Sequence, residues 1–123
     1  MKHTFKAIII TAICALFSTN GIAQIDHWEK LVGANDTWQY RVGNSEPSSS
    51  WMNASFSASS WSSGTGGIGY GDGDDSTVII NCASLYMRRS FTVSNLNAIE
   101  ALILNADYDD GFVAYLNGTE IAR

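Results

Sequence analysis

The chain has 123 residues, of which 12 are acidic and 7 are basic, and its formal net charge is −5. Loss of an N-terminal export signal would remove two basic residues and no acidic ones, leaving −7 on the remaining 100 residues. A chain this acidic repels phosphate backbones and anionic lipid, so nucleic acid and membrane surfaces are poor candidate partners. One hundred residues suit one domain at most.

The N-terminus has the three parts of a secretory signal. Lys2 and Lys6 give a positive start, Ala7–Phe17 is an apolar run of 11 residues, and Gly21 and Ala23 are small residues suited to a cleavage site. The run is too short to span a bilayer, which requires roughly 20 residues. We predict a removable signal at residues 1–23 and a secreted or cell-surface protein without a membrane span; a buried N-terminal helix is the alternative.

A lead-in of mixed polarity at residues 24–35 precedes the first predicted strand, Thr37–Val42, in which apolar and polar residues alternate. Residues 45–63 then contain ten serines, with Trp51, Phe56 and Trp61 among them. Serine enrichment alone favours a flexible linker, but large aromatic side chains bury a large area when they pack. We therefore predict an irregular segment held onto a sheet by its aromatic rings.

Six glycines lie between Gly64 and Gly73 and predict a loop with unusual backbone angles or a close approach to another surface. Gly64–Gly69 matches G-x-G-x-x-G, but that motif binds nucleotides only between a strand and a helix, and neither is predicted beside it. A short strand is predicted at Thr77–Ile80. Cys82, the one cysteine outside the signal, is expected to be a small buried apolar residue; pairing with another chain is the alternative.

The clearest alternation runs over Leu85–Val93, where only Arg89 interrupts the apolar face and would need a carboxylate or carbonyl partner. In Ala101–Ala106 and in Phe112–Leu116, both faces of an extended chain would carry apolar residues. This pattern predicts central strands covered on both faces. An Asp109–Gly111 turn separates them. Asn117–Gly118 is then the preferred dipeptide of a type I′ hairpin.

Short strands separated by turn signals, with almost no helix, predict an all-β fold, specifically an antiparallel jelly-roll-type sandwich. Such sandwiches need about seven or eight strands. The sequence supplies six or seven and stops within a returning strand at Thr119–Arg123. We expect the sandwich at residues 36–123 to be incomplete at its C-terminus.

Clustered carboxylates make the glycine loop a candidate cation site. Asp72, Asp74 and Asp75 could contribute oxygen ligands to Ca²⁺, which prefers six to eight of them. The spacing does not fit an EF-hand. A solvated acidic turn without metal is the alternative.

Catalytic residues are scarce, and we predict that the chain is not an enzyme. His27 is the only histidine outside the signal, so any Ser-His-Asp or Cys-His arrangement would have to use it. Asp107 and Asp109 could form a carboxylate pair for glycoside hydrolysis, but aspartate is favoured beside a turn for its backbone chemistry alone.

Trp61 and Tyr70 border the glycine loop and are the candidate ligand-binding residues. Flat aromatic faces beside polar groups can stack on sugar rings, while neighbouring polar side chains bind hydroxyl groups. The alternative is that both rings only pack against the protein.

Three stretches, Trp61–Gly71, Leu85–Phe91 and Asp107–Arg123, together resemble a galactose-binding-like jelly-roll module. Such modules recur in large secreted bacterial proteins, beside spore-coat-kinase-like, lamin-tail or hydrolase domains. The resemblance covers residues 36–123 and is more specific for fold than for function. It implies a non-catalytic accessory domain, sometimes with structural calcium, and assigns no catalytic residue.

The sequence therefore predicts a module that binds carbohydrate or another cell-surface ligand and belongs to a longer exported chain with neighbouring domains. The alternative is a structural spacer that only positions a catalytic or adhesive neighbour.

Overall fold

A computed structural model of the chain describes residues 27–123. The predicted signal at residues 1–23 lies outside this range. Contacts divide the chain into two units: the larger contains Lys30–Leu96 and Ile103–Arg123, and the smaller includes residues 27–29 and Asn97–Leu102. Every strand of the described chain lies in the larger unit.

Seven short strands and two single turns of 3₁₀ helix make up the regular structure of residues 27–123, which contain no α-helix. The all-β class predicted from turn spacing is therefore confirmed. The strands are β1 Thr37–Val42, β2 Ser62–Thr65, β3 Ile68–Gly69, β4 Thr77–Val78, β5 Leu85–Arg88, β6 Ala114–Leu116 and β7 Thr119–Ala122; the 3₁₀ turns are Ser49–Met52 and Leu96–Ala98.

The largest sheet has three antiparallel strands in the order β2–β1–β5. Tyr40 in the central strand lies opposite Ser62 on one side and Met87 on the other. Opposite residues of an antiparallel pair share a face, so the register defines two faces. One carries Trp38, Tyr40, Val42, Leu85 and Met87; the other, which we call the strap face, carries Gln39, Arg41, Tyr86 and Arg88.

The serine-rich segment crosses the strap face, and we call residues 49–61 the strap. The Trp51 ring packs edge-on against Tyr86 of β5 at 5.4 Å and against Tyr115 of β6 at 5.8 Å between centroids. The Arg88 guanidinium lies 5.1 Å from the centre of the Phe56 ring. It also donates hydrogen bonds to the backbone carbonyls of Trp51, at 2.6 Å, and Asn53. The prediction that aromatic rings hold this segment onto a sheet is confirmed.

The glycine-rich stretch contains more strand than the sequence predicted. Gly64 belongs to β2 and lies opposite Trp38, and Gly69 belongs to β3. A Cβ atom at Gly64 would lie 2.7 Å from the Thr77 side chain, and one at Gly66 would overlap the carbonyl oxygen of Ala34. Glycine therefore allows the strands to approach each other here, as the close-approach hypothesis expected, although the loop assignment was wrong for β2 and β3.

A short parallel pair, β3 with β4, holds together the two ends of an acidic loop at residues 70–76. Two backbone hydrogen bonds fix it, from Thr77 N to Gly67 O at 2.9 Å and from Ile79 N to Gly69 O at 2.8 Å. Parallel strands usually need a connection of a dozen or more residues. The short connection is possible because this pair is only two residues long.

The C-terminal hairpin β6–β7 turns at the predicted dipeptide. Asn117 and Gly118 both have positive φ angles, 52° and 86°, as a type I′ turn requires. Leu116 pairs with Thr119 across the turn. The hairpin prediction is confirmed.

Strand β5 is shorter than the predicted Leu85–Val93 and ends at Arg88. Beyond this strand end, the Arg89 guanidinium forms an ion pair with Asp36 at 3.1 Å and donates to the carbonyl oxygen of Thr37. The partner required for Arg89 is thus present. Phe91, predicted on the buried face, is 38% exposed.

The prediction of central strands covered on both faces was wrong for residues 101–106. For residues 112–116 the predicted strand was too long and had too many neighbours. Residues 101–106 have no strand partner among the described residues, and Leu102, Ile103 and Leu104 are 51–63% exposed. Only Ala114–Leu116 forms a strand, with β7 on one side of it. An apolar run shows which side chains a strand could bury, but it does not show whether another strand is present to pair with it.

Burial is shallow throughout residues 27–123, where only Ala58 and Gly66 are buried. The described strands form sheets of three, two and two strands. The jelly-roll sandwich and its bounds at residues 36–123 therefore stay predictions. Cys82 is a free thiol and is half-buried rather than buried.

Candidate functional site

An open groove lies beside the strap, at the end of the β2–β1 ladder. It encloses about 320 Å³, at the lower end of the roughly 300–1,000 Å³ typical of ligand sites. We call it the Trp61 groove; its lining residues are Tyr40, Arg41, Val42, Asn44, Ser60, Trp61 and Ser62. The groove exists because β1 continues past Tyr40, whereas β2 only begins at Ser62 opposite it.

Trp61, a ligand-binding residue predicted from sequence, forms one wall of this groove. Its ring is held from behind by Trp51, at 6.2 Å and 34° between ring planes, and by Phe56 at 5.7 Å. The side chain is half-buried, so it is neither fully enclosed nor free. A ring fixed in this way can present a surface to a ligand with little loss of side-chain entropy on binding.

Polar groups complete the groove. Asn44, Ser60 and Ser62 are exposed and offer an amide and two hydroxyl groups, which can both donate and accept hydrogen bonds. Arg41 is the one charged residue in the lining, and its guanidinium donates to Ser45 Oγ at 2.8 Å. The combination of aromatic walls with a few polar groups is typical of small-molecule sites.

Tyr70, the second predicted ligand-binding residue, lies elsewhere. It follows β3, is 43% exposed, and its hydroxyl donates to the backbone carbonyl of Cys82 at 3.5 Å. It does not line the Trp61 groove, and no ring contact joins it to Trp61 within the described part of the chain. The structure does not bring the two predicted residues together.

The three predicted calcium ligands do converge. One carboxylate oxygen from each of Asp72, Asp74 and Asp75 lies within 4.8 Å of the other two. Gly71 and Gly73, with φ angles of 102° and 87°, provide the left-handed backbone that turns these side chains together. Asp72 and Asp74 are exposed, whereas Asp75 is half-buried over Gly69.

Crowding of these carboxylates perturbs their titration. A hydrogen bond from the Asp74 side chain lowers the pKa of Asp72 below its usual value. The same hydrogen bond and the charge of Asp72 raise the pKa of Asp74, to which the charge of Asp107 adds. Burial, followed by the charges of Asp72 and Asp74, raises the pKa of Asp75. The loop therefore concentrates negative charge that a cation or a proton would relieve.

The donor set fits Ca²⁺ in chemistry and spacing. Two oxygens bound to one Ca²⁺ at about 2.4 Å can be no more than about 4.8 Å apart, and the three carboxylates meet this condition. They supply three of the six to eight oxygens that Ca²⁺ prefers, so backbone carbonyls and water would have to supply the rest. Exposed acidic turns satisfy the same geometry without metal.

The residues weighed for catalysis are dispersed. His27 belongs to the smaller unit, where its Nε2 lies 3.1 Å from Glu29 Oε1. Asp109 begins a tight turn in which Gly111 N donates to Asp109 O at 3.1 Å and Asp110 has a φ angle of 69°. Its position is explained by turn chemistry. The prediction that the chain is not an enzyme stays a prediction.

Comparison with known proteins gives no relative. No family model matches the chain, and neither any curated protein nor any solved structure matches it. The resemblance to a galactose-binding-like module is therefore still a prediction. No helix within residues 27–123 is long and apolar enough to cross a membrane.

Sequence reasoning missed Arg41 and Asn44 as groove residues. Arg41 reads simply as the polar member of an alternating strand, and nothing in its neighbourhood along the chain marks it. The signal that places it beside Trp61 is the register Tyr40 to Ser62, which depends on how residues 45–61 loop back. A register between strands 20 residues apart cannot be obtained from alternation alone.

Proposed function

We propose that this chain is a non-catalytic binding module of an exported protein and that it holds a carbohydrate in the Trp61 groove. The observation that carries the proposal is a half-buried tryptophan, braced by two other rings, that lines an open groove with an amide and two hydroxyl groups. An indole face can stack on the C–H face of a sugar ring while those polar groups bind its hydroxyls. The volume suits one or two sugar rings.

The galactose-binding-like jelly-roll sandwich, secretion through residues 1–23 and neighbouring domains in a longer chain are parts of the same proposal. The β-rich fold and the lack of a membrane-spanning helix in the described residues are compatible with it. Ca²⁺ held by Asp72, Asp74 and Asp75 would have a structural role. The acidic loop and the Trp61 groove share no lining residue, so we assign no ligand contact to the metal.

The test is a glycan array followed by titration calorimetry of the glycans that bind. We expect Asn44→Ala and Trp61→Phe each to weaken binding by about 1 kcal/mol or more, since each changes the groove and the second keeps a ring in the strap. Tyr70→Phe is the matched control, because Tyr70 lies outside the groove, and it should leave the affinity unchanged.

Two results would remove the proposal. If no glycan binds, the spacer hypothesis is the better account, and the braced Trp61 is then only a packing residue. If glycans bind but Tyr70→Phe weakens binding more than Trp61→Phe does, the site lies at the glycine loop and not in the groove. Circular dichroism and thermal melts of each variant separate lost binding from lost fold.

A further inference from the structure

We infer that the Trp61 groove selects a sugar that carries a negative group, a carboxylate or a sulfate, and that Arg41 is the residue that recognises it. This inference rests on the proposed function, because it names the ligand class of the same groove. It starts from the hydrogen-bond and ion-pair partners of the arginine side chains in residues 27–123.

Each of the other three arginines already has a strong partner. Arg89 pairs with Asp36 at 3.1 Å, and Arg123 makes two parallel bonds to the Glu120 carboxylate at 2.7 and 2.8 Å. Arg88 donates to two backbone carbonyls and lies over Phe56. Arg41 is bound only to the Ser45 hydroxyl, and no carboxylate of residues 27–123 lies within ion-pair distance of it.

Arg41 shares the lining of the groove with Trp61. The paired register ends at Tyr40 and Ser62, and Arg41 and Trp61, the residues directly beyond this pair, line the same groove. The one guanidinium stacked on a ring in the described chain is that of Arg88 on Phe56. The Arg41 charge is therefore not engaged by Trp61, and a sugar on Trp61 would lie next to it.

Electrostatics favour an anionic ligand at this place and at few others. The chain as a whole is acidic, with a formal charge of −5, whereas the lining of the groove contains no carboxylate. A guanidinium presents paired N–H donors that match the two oxygens of a carboxylate or sulfate. Since Ser45 occupies only one nitrogen, Nη2, the remaining donors are available to a ligand.

The experiment compares matched ligand pairs on the purified protein by calorimetry at low salt. One pair is a short oligogalacturonide and its fully methyl-esterified form; the other is a sulfated galactan oligosaccharide and its desulfated form. We expect the charged member of at least one pair to bind about tenfold more tightly, a ratio that corresponds to about 1.4 kcal/mol. The preference should fall at ~1 M salt, where the Debye length is about 3 Å. The pair that shows the preference identifies the negative group.

Two variants assign the preference to a residue. Arg41→Gln should abolish the preference, because the charged member should then bind no more tightly than the neutral member does to the same variant. Arg123→Gln makes the same change in net charge at a guanidinium that is paired with Glu120, and it should keep the preference. Because Arg41 has one hydrogen bond to an exposed hydroxyl, we expect its replacement to leave the melting temperature nearly unchanged.

The outcomes separate this inference from the proposal on which it rests. If neutral and charged members bind equally in both pairs, the groove binds sugars but the inference is wrong. If the preference is present and survives in Arg41→Gln, another residue supplies it and the assignment is wrong. If no member of either pair binds and the glycan array is also blank, the proposed function fails together with it.

Discussion

The strap and the apolar run at residues 101–106 differ in how far their apolar side chains are covered. Six of the thirteen strap residues are serines, and they are exposed, whereas the strap rings contact β5 and β6 and cover the strap face. The apolar run is almost wholly aliphatic, yet Leu102, Ile103 and Leu104 are more than half exposed. Burial in this chain follows the availability of a partner surface of matching shape. Composition alone would rank the two segments in the opposite order.

The rings of the strap explain the difference. Trp51 reaches Tyr86, Tyr115 and Trp61, which come from three different parts of the chain, because one indole is large enough to touch several neighbours at once. An aliphatic run at strand spacing instead needs hydrogen-bonded neighbours before its side chains can be covered. A few contacts made by large aromatic rings can therefore fix the irregular strap. The aliphatic side chains of residues 101–106 stay exposed because that segment has no neighbouring strand among residues 27–123.

The largest predicted effect tests this contrast directly. Trp51→Ala should lower the free energy of unfolding by about 2–3 kcal/mol, somewhat less than the roughly 3–5 kcal/mol of a fully buried aromatic, because Trp51 is half-buried. Ile103→Ala, at a side chain that is 63% exposed, should change it by less than about 0.5 kcal/mol. Urea denaturation followed by circular dichroism measures both. Equal losses in the two variants would contradict the contrast and show that the apolar run is packed in solution.

The sequence of this protein predicted features that depend on neighbouring residues along the chain, but it did not predict which strands pair with each other. Alternation of apolar and polar residues predicts the limits of β1, and the preference for positive φ angles predicts the turn at Asn117–Gly118. The cost of burying a charge predicts that Arg89 needs a partner. Each of these depends on neighbours along the chain. The lack of a strand partner for residues 101–106 in the described part of the chain does not depend on such neighbours, and neither does the end of β5 at Arg88.

The candidate site divides in the same way. The convergence of Asp72, Asp74 and Asp75 was predictable, because they are nearly adjacent on a glycine-rich backbone that can turn them together. The separation of Trp61 from Tyr70 was not predictable, because eight residues and two strands lie between them. Arg41 became visible as a groove residue only when the register of β1 and β2 was known.

A second, smaller effect compares the two turns that follow the apolar run. Gly118 has a φ angle of 86°, and a Cβ there would lie 2.8 Å from Asn53 Oδ1, whereas a Cβ at Gly111 would meet nothing within 4 Å. Gly118→Ala should therefore lower the free energy of unfolding by about 1–2 kcal/mol, the cost of a left-handed L-residue. Gly111→Ala should be neutral within about 0.5 kcal/mol. Thermal melts of both variants provide the check, and a neutral Gly118→Ala would argue against the hairpin register.

The smallest effect concerns the acidic loop and the chain that follows the apolar run. The pKa of Asp74 is raised by Asp72 and, to a lesser degree, by Asp107. Ionisation of Asp74 is thus penalised in the folded protein. The penalty is absent below the unfolded pKa, near 3.8, and is fully present above the raised folded value. Asp74→Asn should therefore melt at a higher temperature than the wild type at pH 7 and at the same temperature near pH 3.

The lowered pKa of Asp72 acts in the opposite sense: its contribution to stability is lost as the pH falls through the folded pKa of Asp72, and its largest cause, a hydrogen bond from Asp74, is present only while Asp74 is protonated. An asparagine at position 74 keeps a donor for Asp72, so this contribution should survive the substitution. Ca²⁺ at pH 7 should raise the melting temperature of the wild type more than that of Asp74→Asn, because the variant lacks one of three carboxylate ligands. Asp107→Asn tests the contribution of the Asp107 charge to the pKa of Asp74. It should shift the pH profile of the melting temperature in the same direction as Asp74→Asn, by a smaller amount. A pH profile unchanged by Asp107→Asn would show that the charge of Asp107 does not contribute measurably to the raised pKa of Asp74.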